Sequence, residues 1–313
     1  MKPIRVLLPG RLDFAGVQIL TSRVNEKLLD ASVSTPVVFD MKLVQWTEPV
    51  GIVGLACLIE GQRRIGREVH LDHNECAIAG YWDRMGFFRE VGHPGPVSQN
   101  AFHPSAGRFA EVRKIHRIDD VDGLAEEIIS CLNVEEGEEE WHIVLHIVTE
   151  ALNNVCQHSG AHGFCAAQYW PSKDRLQICI GDCGVGLKHA LTRFGPDDDA
   201  AALDLALQVG VTGRPPNFNQ PGMRNRGVGL SCIDRLTSAN QGRIDLWSGL
   251  GRRSTSSPSA YNSNIQWTGT LLMANMRRNG ARANFEAVMA QLREELYAIE
   301  KSRKTSSSRE ARS

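Results

Sequence analysis

Residues 149–160 read Thr-Glu-Ala-Leu-Asn-Asn-Val-Cys-Gln-His-Ser-Gly and close a run that begins at Trp141. Trp141, Val144, Leu145, Val148, Leu152 and Val155 recur at helical spacing, which predicts an amphipathic helix with one stripe facing a core. Glu150, Asn154 and His158 stand four residues apart on the other side. At about 100° per residue each step drifts by only about 40°, so the three side chains rise from one face. A carboxylate one turn from a carboxamide suits a hydroxyl or water beside a cation, because a neutral amide oxygen is a ligand Mg²⁺ accepts alongside phosphate oxygens. The same spacing also describes a plain solvated face.

Three segments downstream sharpen the reading. Ile180-Gly181-Asp182-Cys183-Gly184-Val185-Gly186-Leu187 ends a strand in a D-x-G-x-G turn, where glycine lets the backbone approach a ligand and the Asp can accept from an exocyclic amine. Arg226-Gly227-Val228-Gly229-Leu230 opens a helix running to about Leu236, and free N–H groups at such a start form an anion site. Trp267-Thr268-Gly269-Thr270 places hydroxyls at the start of the last strand. Each motif alone is weak; their order and spacing together are specific.

Around these motifs the chain divides by pattern. Residues 1–90 alternate strand-like and helix-like pieces: strand 4–8, helix 14–29, strand 37–41, helix 50–65, strand 68–71 and helix 75–84. That order predicts a small layered α/β domain. Residues 91–108, VGHPGPVSQNAFHPSAGR, read as a linker. The second unit, 109–278, is predicted to hold a strand at 112–118, a helix at 121–133, the helix at 141–158, strands at 164–170 and 176–181, a Gly/Pro-interrupted helical middle, and strands near 243–248 and 266–276. In 279–313, Phe285, Val288, Leu292 and Leu296 mark an amphipathic helix, a possible dimerisation element, and KSRKTSSSREARS (301–313) reads as disordered.

Composition limits the function classes. Of 313 residues, 42% are hydrophobic and 23% charged, and 35 basic residues against 36 acidic leave a net charge of −1. This is ordinary globular material with no overall field toward nucleic acid or anionic lipid, so neither is expected as a partner. The sequence has no apolar run long enough for a transmembrane helix and no signal-peptide pattern, which predicts a cytoplasmic protein. The eight cysteines are scattered without C-x-x-C spacing and read as reduced thiols.

Residues 108–278 resemble the GHKL superfamily, the histidine kinase-like or Bergerat fold of type II topoisomerase ATPase domains, histidine kinases and mismatch-repair ATPases. Glu150-x-x-x-Asn154-x-x-x-His158 resembles its N box, Asp182-x-Gly184-x-Gly186 its first glycine box, Gly227-x-Gly229-Leu230 its second, and Gly269-Thr270 its last. The resemblance implies an α/β sandwich binding ATP and Mg²⁺. Asp182 would bind the adenine amino group with Thr270 in support, and Asn154 would ligate the metal. Gly184, Gly186, Gly227, Gly229 and Leu230 would line the nucleotide, and Glu150 would orient or deprotonate the attacking hydroxyl. Val211–Arg226 would form a mobile lid with Arg214, Arg224 and Arg226 as candidate phosphate contacts.

The chain ends 43 residues after Thr270, too soon for the transducer domain of topoisomerases, and it lacks an upstream His in an H-E/D-x-x-x-P context. TEALNNVCQHSG reads most like the anti-sigma-factor serine kinases. Val37–Asp40, Glu48–Leu55 and Arg67–Leu71 resemble a STAS domain, the fold of anti-sigma-factor antagonists, but Glu48-Pro49-Val50 stands where those carry a phosphorylated serine. Docking of a regulatory protein partner, through this domain or the lid, is the expected role. The expected function is a regulatory serine/threonine kinase or slow ATPase. Two alternatives stay open: a non-catalytic ATP-gated interaction switch, and a fold relative that binds no nucleotide.

Overall fold

The computed structural model describes residues 2–96, 107–132, 135–213, 227–278 and 284–310, with side chains left out at 120, 131 and 304–310. The chain runs β1 (Ile4–Leu7), β2 (Arg11–Leu12), α1 (Phe14–Leu28), β3 (Val37–Asp40), β4 (Trp46–Thr47), α2 (Pro49–Arg64), β5 (Val69–Asp72), α3 (Ala79–Arg84) and α4 (Phe87–Glu90). It continues with β6 (Phe109–Ile115), α5 (Val121–Cys131), α6 (Glu139–Asn154), β7 (Gly163–Trp170), β8 (Arg175–Asp182), α7 (Gly186–Ala190), α8 (Asp199–Ala206), α9 (Gly229–Ala239), β9 (Arg243–Ser254), β10 (Tyr261–Met276) and α10 (Phe285–Glu310). The protein is mixed α/β.

Local chemistry explains the boundaries. Asp13 caps α1, its Oδ1 accepting from the Gly16 N–H at 3.0 Å, and Pro49 takes the first position of α2, where an N–H has no intrahelical partner. Strands β1, β3 and β5 form a parallel three-stranded sheet in that order, while β2 and β4 pair separately. The larger sheet has five strands in the order β6-β7-β8-β10-β9, every neighbouring pair antiparallel.

Alternation along these five strands gives the sheet two apolar faces. Cys165, Ala167, Ile178, Ile180, Leu272 and Ala274 point to a core closed by α5, α6, α9 and α10. Phe164, Ala166, Cys179, Trp247, Trp267, Leu271 and Met273 point the other way, into a core shared with Val17, Val50, Val53 and Cys57 of α1 and α2. The N-terminal unit therefore covers one face of the large sheet. Residues 97–106 of the expected linker lie outside the described residues.

Several expectations need correction. The stripe on α6 centres on Ile143, Val144, Ile147, Val148, Ala151 and Leu152, leaving Trp141 and Leu145 half-buried at its margin. The helix expected through His158 is α-helical only to Asn154; Val155–Ser159 form a π-turn that ends at Gly160 in the left-handed region. The strand expected at 112–118 sits at Phe109–Ile115, with a register shift between Ala110 and Arg113 that moves its pairing. Strand β9 runs six residues past Ser248, because Gly249 and Gly251 serve the close approach of Asp199 on α8 rather than breaking the strand. Trp267–Thr270 accordingly lie inside β10, not at its start. The region read as disordered from Lys301 continues α10 to Glu310, as it contains no Gly or Pro to stop a helix.

Candidate functional site

The four sequence blocks converge on one cleft of about 1050 Å³, its open mouth included. One wall is α6 and its π-turn, presenting Glu150, Asn153, Asn154, Gln157 and His158. The floor is the end of β8 and the middle of β10, with Ile180, Asp182, Thr270 and Leu272. Leu187, Ala190, Leu191 and Ala206 make an apolar far wall, and Val211–Gly213 with Gly227, Gly229 and Leu230 form the mouth.

Asp182 ends β8 and is only 5% exposed. Its Oδ1 accepts from the Gly184 N–H at 2.7 Å, and the Thr270 N–H also donates to the carboxylate. Burial outweighs these donors and pushes its pKa up to about 7. The turn that follows is shaped by tight contacts. A Cβ on Gly184 would stand 2.0 Å from the Ser159 carbonyl oxygen, and the Val185 N–H donates to that same oxygen at 2.9 Å. Gly184 is thus packed against the π-turn and is not among the residues that line the cleft. Gly186 does line it, at φ +76°, and Gly269 at φ +89° leaves room for Asp182.

Ser248, which the sequence reading missed, joins these segments. Its hydroxyl accepts from the Leu187 N–H at 2.8 Å and donates to the Gly269 carbonyl at 2.9 Å. A single serine 61 residues from its partner carries no local sequence signal.

Opposite, α9 begins at Gly229 against the polar face of α6. A Cβ on Gly229 would lie 2.9 Å from Glu150 Oε2 and 3.7 Å from both amide atoms of Asn154. The first N–H groups of α9 have no intrahelical acceptor, and the helix dipole stands behind them. Among the described residues, Asn154 Nδ2 is buried with no hydrogen-bond partner. The π-turn holds about 4.4 residues per turn, which rotates His158 back over the same wall instead of letting it drift away.

Gly210 and Gly227 both lie in the left-handed region, at φ +81°, and the Gly210 N–H donates to the Gly227 carbonyl at 2.8 Å. This bond clasps the two ends of the segment expected to be a lid. Residues 214–226 of that segment, with Arg214, Arg224 and Arg226, lie outside the described residues. The described lining contains Glu150 and Asp182 but no Lys or Arg.

Glu150, Asn154, Asp182, Gly186, Gly227, Gly229, Leu230 and Thr270 therefore share the cleft, and Gly184 supports it from behind. The chain matches no protein-family model, and no curated protein matches it.

Proposed function

We propose that the cleft is a GHKL-type site for Mg²⁺-ATP and that the protein is a regulatory serine/threonine kinase or slow ATPase. The observation that carries this reading is the meeting of Glu150, Asn154, Asp182, Gly229 and Thr270, from four separated segments, around one volume. Clefts with an apolar wall and a few convergent polar groups are typical small-molecule sites.

In this reading Asp182 accepts from the exocyclic amine of adenine, the Thr270 backbone fixing the carboxylate. Leu187, Leu191 and Ile180 supply the apolar sides for a flat ring. The N–H groups at the start of α9 receive phosphate oxygens. Within the described lining, those N–H groups and a divalent cation would complement the phosphate charge. The donor set fits such a cation: Asn154 has an open amide end beside Glu150, and an amide turn exchanges its oxygen for its nitrogen. When bound, Mg²⁺ would neutralise charge on the phosphate oxygens.

Glu150 orients the attacking hydroxyl, of water or of a protein serine, and takes its proton. The hydroxyl oxygen bonds to the γ-phosphorus while the bond from phosphorus to the bridging oxygen breaks, and that oxygen leaves with ADP. General-base assistance of this kind is worth ~10²- to 10⁴-fold. Glu150→Ala should therefore keep ATP affinity within about threefold while turnover falls by about 10² or more. Asp182→Ala should abolish binding in calorimetry with Mg²⁺-ATP. Equal loss of binding in both variants overturns this division of roles.

A non-catalytic ATP-gated switch is the alternative reading, in which bound nucleotide changes the affinity for a partner without chemistry. Tight ATP binding with no phosphate release and no protein labelling selects that reading. In either form the N-terminal unit, proposed as STAS-like, or the lid is the partner-facing part.

A further inference from the structure

We infer that the N-terminal unit is a working part of the cleft, and that Arg64 is a positioning residue setting the geometry of the Asp182 turn. The inference rests on the nucleotide reading above for its functional consequence, but its structural core does not.

Val53, Cys57, Gly61 and Arg64 fall at spacings of four, four and three along α2, so they form one stripe. That stripe packs on Gly181 and Cys183, the residues on either side of Asp182. A Cβ on Gly181 would meet Val53 Cγ1 and Cys57 Sγ, each at 3.1 Å, so the residue before Asp182 is a glycine partly because α2 lies on it. A Cβ on Gly61 would touch the Cys183 Cβ at 3.6 Å. One turn further, the Arg64 guanidinium donates to the Cys183 carbonyl at 3.0 Å and to the Gly160 carbonyl at 3.3 Å.

Those two carbonyls belong to the two segments whose contact shapes the site. Gly160 ends the π-turn, and Cys183 is the second residue of the D-x-G-x-G turn. Their own direct link is the Val185 N–H to Ser159 carbonyl bond with the Gly184 contact beside it. Arg64 spans the same junction from outside, as a planar fork suited to two acceptors at once. It holds the α6 wall and the β8 floor at a fixed separation, although it belongs to neither.

The opposite end of α2 is fixed as well. Glu48, which precedes α2, receives both terminal nitrogens of Arg175 at 3.0 and 2.8 Å and the Gln177 amide at 2.9 Å, and Gln177 accepts from the Val50 N–H at 3.3 Å. Both ends of α2 are thereby tied to the β8 segment that ends in the Asp182 turn.

The test compares the full chain with Arg64→Ala and Arg64→Lys by calorimetry with Mg²⁺-ADP and by hydrogen–deuterium exchange without nucleotide. We expect Arg64→Ala to weaken ADP about five- to tenfold, to speed exchange in peptides covering 158–161 and 183–187, and to leave the melting temperature nearly unchanged. Arg64→Lys, with a single ammonium for two acceptors, should recover part of both effects. Unchanged exchange at both segments overturns the inference, whatever the affinity. Altered exchange with wild-type-like ADP affinity also overturns it, since the brace would then set nothing in the cleft. If the wild-type chain binds no ADP, the nucleotide reading falls, and exchange alone decides whether Arg64 braces the junction.

Discussion

Asp182 is the residue on which the site turns, and its environment gives a signed expectation. Its carboxyl ordinarily ionises near 3.8 and is raised to about 7 by burial, so between those values the folded chain holds a proton that the unfolded chain has released. Stability from this group therefore falls as pH rises from about 4 to 7, by up to ~1.4 kcal/mol per pH unit, and is level above 7. For the proposed ligand the sign is opposite: a protonated carboxyl offers a donor where an amine needs an acceptor, so ADP affinity should weaken below about pH 7. Denaturant titrations and calorimetry from pH 5.5 to 8 would check both, and Asp182→Asn should flatten both profiles. Gly184 gives a second test. A methyl group there would meet backbone at 2.0 Å with no flexible side chain to move, so Gly184→Ala should cost about 1–3 kcal/mol and disturb the cleft it does not line. A melting temperature equal to wild type sinks that expectation. The glycine was legible as special from its D-x-G-x-G context, but its reason was not, because Ser159 is distant in sequence.

At the scale of elements, α6 was the most readable part of the chain, since its apolar positions follow a 3.6-residue period over four turns. The π-turn that ends it was not readable: one extra residue per turn leaves no mark in an apolar/polar pattern. It is held by the Ser159 carbonyl, which receives Val185, and by the Ser159 hydroxyl, which accepts from the Ala161 N–H at 3.0 Å and donates to the Ala161 carbonyl at 2.7 Å. Strand β9 runs past the expected 243–248 because Gly249 and Gly251 take the close approach of Asp199 on α8, a contact distant in sequence. The seat of α2 also escaped the sequence, because Glu48 and Gln177 are polar residues 129 positions apart. Glu48→Ala would take one of two acceptors from the Gln177 amide, leaving its bond to Asn275 Oδ1 at 3.1 Å, and leave Arg175 without its carboxylate. We expect a loss of about 2–4 kcal/mol by urea titration, and a markedly smaller loss for Glu48→Gln. Equal losses in the two variants would mean that the carboxylate charge contributes nothing.

For the whole molecule, the alternation of βα pieces in 1–90 and the later strand pairs were enough to give mixed α/β, because each element carries its own period. How the two units meet was hidden, since both faces of a central sheet read as equally apolar strands. A core that includes Val53, Cys57, Trp247, Trp267 and Leu271 has no seam along which one unit could melt first. Differential scanning calorimetry should give a single transition with calorimetric and van't Hoff enthalpies equal; two resolved peaks would contradict the shared core. The same burial decides what happens if the polypeptide is divided. A fragment starting at residue 107 would wear Phe164, Trp247, Trp267, Leu271 and Met273 on its outside, a greasy plateau that water penalises at ~25 cal/mol for every Å². Such a fragment should clump or take up hydrophobic dyes, and supplying residues 2–96 as a separate peptide should quench both behaviours.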